Sequence, residues 1–113
     1  MDKYLLALLG EAGATGLAKG IYMIKKEGRF FYAYENELTH WNYFKRFRKS
    51  RLEKPVYYLL LFLGIIVGLL GNKAIKLVVN KVEEQALNFY LRNFEVKGEI
   101  EKIVEDEKHH FIR

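Results

Sequence analysis

Sixteen consecutive residues of this 113-residue chain, Val56 to Gly71 ("VYYLLLFLGIIVGLLG"), carry neither a charge nor a strongly polar side chain. A soluble domain of this length leaves roughly a third of its extended-chain surface in water, so a helix apolar all round is hard to enclose. No other segment is apolar enough to surround it. The run therefore reads as a transmembrane helix over 55–72. Pro55 suits its first turn, where a missing N–H costs nothing. Sixteen residues rise about 24 Å, a little short of a ~30 Å hydrocarbon core. Lys54 and Lys73 can snorkel outward, and Tyr57 and Tyr58 sit where an interfacial aromatic belt belongs.

The charge pattern points the same way. Six cations, Lys45, Arg46, Arg48, Lys49, Arg51 and Lys54, crowd into ten residues with one acid, Glu53. Beside a membrane helix such a tract faces anionic lipid headgroups. Residues 1–54 hold 11 Lys/Arg against 6 Asp/Glu, whereas residues 72–113 hold 8 against 8. By the positive-inside rule the N-terminus is expected on the cytoplasm or matrix side of a single-pass protein. The N-terminal sequence lacks the pattern of a cleavable signal, because Glu11 follows the short apolar stretch Leu5–Leu9 at once. There is no cysteine, which removes disulfides, thiolate metal sites and cysteine nucleophiles from consideration.

The expected fold is mainly α, in three regions: a basic N-terminal region (1–54), the transmembrane helix (55–72) and an amphipathic helical tail (73–113). Within the first, residues 4–24 are rich in glycine and alanine. Gly16-x-x-x-Gly20 permits close helix approach, and a packed helix, a second span and a glycine-rich loop all remain open. Residues 21–35 have the aromatic and β-branched content of a short β-hairpin turning at Lys26-Glu27-Gly28, or else continue as a helix. Leu38–Arg51 reads as an aromatic, basic helix through Trp41, Phe44 and Phe47. In the tail, Ile75, Val78, Val79, Val82, Ala86, Phe89 and Tyr90 form an apolar stripe at helical spacing, expected to be a partner-binding face. Gly64, Gly68 and Gly71 form a small-residue ridge on the span, expected to pack against another helix. No internal repeat is apparent.

Chemistry is hard to find at this level. Gly10, Gly13 and Gly16 match neither a dinucleotide fingerprint nor a Walker loop. His109 and His110 follow Glu105 and Asp106 at i+4, which could share a metal, but no third ligand is suggested. His40 has no evident acid–base partner, and the carboxylates of 99–107 read as a solvated helix face. The expectation is therefore no catalytic residue, no metal, no cofactor, no small-molecule substrate and no nucleic acid. The functional expectation is a non-catalytic accessory subunit, acting in assembly or stability beside larger membrane subunits. A basic, cysteine-free, single-span chain resembles in type the supernumerary subunits of respiratory-chain or ATP-synthase complexes in the mitochondrial inner membrane, although no motif carries the likeness. The alternatives are a small bacterial membrane protein of immunity or regulatory kind, and a soluble basic nucleic-acid binder.

Overall fold

The computed structural model describes residues 2–113, which form five helices: α1 (Lys3–Lys25), α2 (Gly28–Phe44), α3 (Glu53–Leu70), α4 (Asn72–Asn93) and α5 (Glu99–His109). Asp2 caps α1 by accepting from the Tyr4 N–H at 2.8 Å, which satisfies one of the free donors at a helix start. The helix ends at Lys26, whose left-handed backbone (φ 52°) turns the chain straight into α2.

Residues 21–35 are thus helix, a two-residue turn and helix, and the described residues contain no strand. The expected hairpin is corrected. Its turn falls at Lys26-Glu27, but the aromatics after it lie on the faces of α2, with Phe30 in the core and Phe31 and Tyr32 at the surface. The helix expected over Leu38–Arg51 stops at Phe44. Glu53 then starts α3, accepting from Trp41 Nε1 at 2.8 Å and from the Ser50 N–H at 2.9 Å. Gly71, with φ 106°, makes the one-residue break between α3 and α4 that a side chain would strain.

The direction of each helix follows from its contacts. Gly13 faces Val56 and Leu60, Gly16 faces Tyr57 and Leu61, Gly20 faces Leu61 and Gly64, and Ile24 meets Gly68. Both numbers rise together, so α1 and α3 run parallel. The approach is so close that a Cβ on Gly16 would strike the Tyr57 carbonyl, and one on Gly64 the Leu17 carbonyl. His40 lies against Glu11, while Phe30 and Ile21 share an apolar cluster, so α2 runs antiparallel to α1. Ile75 joins that same cluster and Tyr90 packs with Ala7 and Leu8, making α4 antiparallel to α1 as well. Ile100 lies near Ala7, and Asn80 bonds Ile112 through both its amide groups, so α5 runs with α1.

Four helices, α1, α2, α4 and α5, therefore form a bundle, and α3 is the long crossover that returns the chain from the end of α2 to the start of α4. One apolar cluster (Ala7, Leu8, Trp41, Phe44, Tyr90, Ile103, Val104) fills one end of the bundle, and a second (Leu17, Ile21, Phe30, Val67, Ile75) fills the other. Between them lies a polar layer.

Candidate dinuclear metal site

The polar layer consists of Glu11 from α1, Glu37 and His40 from α2, Glu83 from α4, and Glu107 and His110 from the end of α5. All six are buried. Helical spacing explains the pairs: residues three apart share a face, so Glu37-x-x-His40 and Glu107-x-x-His110 each direct a carboxylate and an imidazole inward together. Their ligand atoms form two groups of four, Glu11, Glu37, His40 and Glu107 in one and Glu37, Glu83, Glu107 and His110 in the other, each within 4.8 Å. Glu37 and Glu107 belong to both.

The geometry has an approximate twofold character. His40 turns Nδ1 inward, 2.9 Å from Glu11, 3.1 Å from Glu37 and 3.2 Å from Glu107. Its Nε2 meets Asp106 at 2.8 Å. His110 turns Nδ1 toward Glu83 at 3.5 Å and toward Glu37 and Glu107 at 3.9 Å, while its Nε2 meets Asn36 at 3.2 Å. Each imidazole is thus held from behind by the residue that precedes the shared glutamate of the other half. Outer hydrogen bonds of this kind fix the ring and leave the inner nitrogen for a metal.

Several inward atoms are buried and have no hydrogen-bond partner: Glu11 Oε2, Glu83 Oε2, both carboxylate oxygens of Glu107, and His110 Nδ1. Buried polar atoms are seldom left so, and one N–H on His40 cannot donate well to three carboxylates. Without cations, protons must offset the charge. Burial, helped by the charge of Glu107, pushes the Glu11 carboxyl up to about 7. Burial first and the nearness and charge of Glu107 next raise Glu83 to about 11, and burial with the charges of Glu107 and Glu11 holds Glu37 well above the ordinary range. Burial alone would depress His40, but the carboxylates of Glu107, Glu11 and Glu37 gathered around its Nδ1 raise it instead. Glu107 is the exception: burial opposes its ionisation, yet the close approach of Glu37, Glu83 and His40 holds its carboxyl below the usual range.

Two hollows border this layer, one between α1 and α4 and the other among α1, α2 and α4. A cleft of about 230 Å³, bordered by Gly10, Ala14, Val82, Ala86 and Phe89, reaches Glu11 and Tyr90. A smaller cavity of about 40 Å³ beside Ala14 and Ala18 reaches Glu37, Glu83 and His110. On α1, Gly10 and Ala14 border the cleft and Ala14 and Ala18 the cavity, small residues spaced four apart.

These placements revise several expectations. His40, expected to lack an acid–base partner, is buried among Glu11, Glu37 and Glu107. His110 works with Glu107 at i−3, not with Asp106 at i−4, whereas His109 is exposed and hydrogen-bonds the Glu105 carbonyl at 2.7 Å. Of the 99–107 acids, Glu107 is buried while Glu99, Glu101 and Glu105 face water. Gly64 and Gly68 do pack against a helix, but it is α1 of the same chain, with Gly16 and Gly20 opposite. Gly71 has open space around it. In the α4 stripe Ile75 and Tyr90 are buried, and Val78, Val79, Val82 and Phe89 pack on the chain's own core, with Ala86 at the cleft. Lys45, Arg46, Arg48, Lys49, Arg51 and Lys54 are exposed around the α2–α3 connection. Arg48 is paired with Asp2 at 2.8 Å, and Lys45 lies over the Trp41 ring.

Although no long internal repeat is apparent, the signal for the site was present in the sequence as a short recurring motif. Asn36-Glu37-x-x-His40 and Asp106-Glu107-x-x-His110 share a pattern, and Glu11 and Glu83 precede Glu37 and Glu107 by 26 and 24 residues. No protein-family model matches the chain, and no curated protein or solved structure is significantly similar to it.

Proposed function

We propose that this chain is a dinuclear metalloprotein of the oxidoreductase kind, holding two first-row divalent metals in the layer between its two apolar clusters. The observation that carries the reading is the sharing of Glu37 and Glu107 by both four-residue groups, since a ligand common to two sites is a bridge. Glu11 and His40 would complete one site, and Glu83 and His110 the other. One glutamate from each of two helices, with Glu-x-x-His from each of the other two, is the ligand set of carboxylate-bridged di-iron and di-manganese four-helix bundles. Two divalent cations also match four carboxylates in charge, which removes the heavy cost of burying uncompensated anions. Oxygen-rich sites with one imidazole each suit iron or manganese, while thiolate-seeking metals have no ligand here.

Such a pair of metals, when bound, supplies redox and Lewis-acid chemistry. The residues do the rest. Asp106 and Asn36 orient the two imidazoles, the flanking apolar clusters limit water, and Gly10, Ala14 and Ala18 keep an apolar path open for a small reactant. Tyr90 lines that path, its phenol raised by burial and by the neighbouring Glu11 charge.

The accessory-subunit expectation rested on the glycine ridge and the α4 stripe as surfaces needing a partner. Within this chain Gly64, Gly68 and most of the stripe are already covered, so the metal-centre reading takes its place. Helix α3 is long and apolar enough to be a membrane-segment candidate, and only 17% of its residues are buried.

Metal analysis of the purified chain tests the reading. Two equivalents of iron or manganese per chain are expected. Glu37→Ala and Glu107→Ala should each lose both, whereas Glu11→Ala and Glu83→Ala should each weaken one. A content that never exceeds one, or loss in the bridge variants no greater than in the terminal ones, would reject a shared-bridge centre.

A further inference from the structure

We propose that α3 lies in the plane of a membrane, its outer face set into one leaflet rich in anionic lipid, with the four-helix bundle resting on the headgroups. Tyr58, Leu59, Phe62, Ile66, Leu69 and Leu70 fall on one side of α3 and are 39–71% exposed. The opposite side, with Gly64, Val67 and Gly68, is sealed against α1. The helix is thus divided lengthwise into a covered face and an unpartnered apolar one, the division expected of a helix lying in an interface.

An upright span meets a physical obstacle. Helix α3 rises about 27 Å and packs along α1, while α4 runs about 33 Å in the opposite direction across the same levels. The exposed face of α4 carries Lys73, Lys76, Lys81, Glu84 and Arg92 along its length. If α3 stood across a bilayer, these charges would be spread through the hydrocarbon, where each is heavily penalised. Laid flat, α3 meets lipid with its apolar face and keeps the bundle in water.

Charge complementarity identifies the occupant. Exposed cations stand at both ends of the apolar face, Lys49, Arg51 and Lys54 before it and Lys73 and Lys76 after it. An in-plane helix has both ends at headgroup level, so cations at both ends can meet anionic lipid. A second protein's apolar surface would gain nothing from them.

The full chain mixed with phosphatidylcholine–phosphatidylglycerol vesicles should float with them, and bind pure phosphatidylcholine vesicles far less. Converting Lys49, Arg51 and Lys54 to Gln should lower affinity for the anionic vesicles about a hundredfold. The double variant Leu59→Glu, Phe62→Glu should abolish flotation while helix content, read by circular dichroism, stays the same. Because the chain lacks cysteine, single substitutions Leu59→Cys, Ile66→Cys and Leu69→Cys can carry spin labels. All three should report the same shallow depth. A profile deepest at residue 66 would establish a span and overturn the proposal, as would a folded chain that ignores anionic vesicles or hides α3 by self-association. Metal content is read separately, so failure of the membrane inference leaves the metal reading standing, and the reverse.

Discussion

The centre of the bundle and the outer face of α3 break the same rule in opposite directions. Four glutamates and two histidines lie where a helical bundle normally buries leucine, and leucines and phenylalanine lie where it normally presents charge. Each would be unfavourable in a chain that had to be complete by itself. On our reading each marks where the chain is completed from outside, by cations in one case and lipid in the other. The two differ in how they are held. The polar layer is fixed from several sides by α1, α2, α4 and α5, whereas α3 depends mainly on its glycine seam with α1.

The largest expected effect comes from emptying the centre. If the carboxylates are buried for the sake of two cations, chelation should lower apparent stability by about 4 kcal/mol at a thousandfold excess of metal over Kd, about 20 °C in Tm. A calorimetric scan unchanged by chelator would mean that the layer is self-sufficient and the comparison false.

The seam comes next. Gly16→Leu drives a side chain into the Tyr57 carbonyl, backbone that cannot move aside, and should cost about 3 kcal/mol by denaturant unfolding. Gly10→Ala meets nothing within 4 Å and should be neutral or stabilise by up to about 1 kcal/mol. Equal effects would show that α3 is not held by close approach.

That seam was partly legible in the sequence, because spacing of Gly16 with Gly20 and Gly64 with Gly68 signals helix contact. What spacing could not say was that the two sets would meet each other within one chain. The α3 boundaries, Pro55 in the first turn and Gly71 as the break, were likewise readable from backbone chemistry. The α2 region was not, since Phe30, Phe31, Tyr32 and Tyr34 have strand-like composition and only the packing of Phe30 against Ile21 decides for helix. The centre was legible in principle but hidden by its distances. Its six residues are scattered from Glu11 to His110, each unremarkable alone, and the i, i+4 pairs Glu105/His109 and Asp106/His110 overlap the i, i+3 pairs that converge.

Acidity offers a smaller effect. In the metal-free chain the folded state keeps a proton on Glu11 up to about pH 7 that the unfolded chain releases near pH 4.5. More protons bound when folded means that stability falls as pH rises. Glu11 alone should cost about 2 kcal/mol between pH 5 and 7. Glu37 and Glu83, both raised, act in the same direction, while His110, lowered chiefly by burial, opposes them below pH 6.5. Metal binding must displace these protons, so metal affinity should rise over the same interval. Urea titrations of the metal-free chain that show stability increasing from pH 5 to 7 would contradict the assigned protonation.

The smallest effect belongs to the outer face of α3. Phe62→Gln, at a site 62% exposed, should change unfolding free energy by less than about 0.5 kcal/mol, while raising the fraction of chain that stays soluble without detergent. A large loss of stability there would mean that the face packs against protein, and the contrast with the centre would disappear.

The central claim is that Glu37 and Glu107 bridge two metal ions. Anomalous diffraction from crystals of the iron- or manganese-loaded chain, recorded at the metal's absorption edge, measures this directly. The account predicts two peaks about 3.5–4 Å apart, one beside Glu11 and His40, the other beside Glu83 and His110, with Glu37 and Glu107 between them. A single peak, or peaks only at exposed carboxylates such as Glu105, would contradict it.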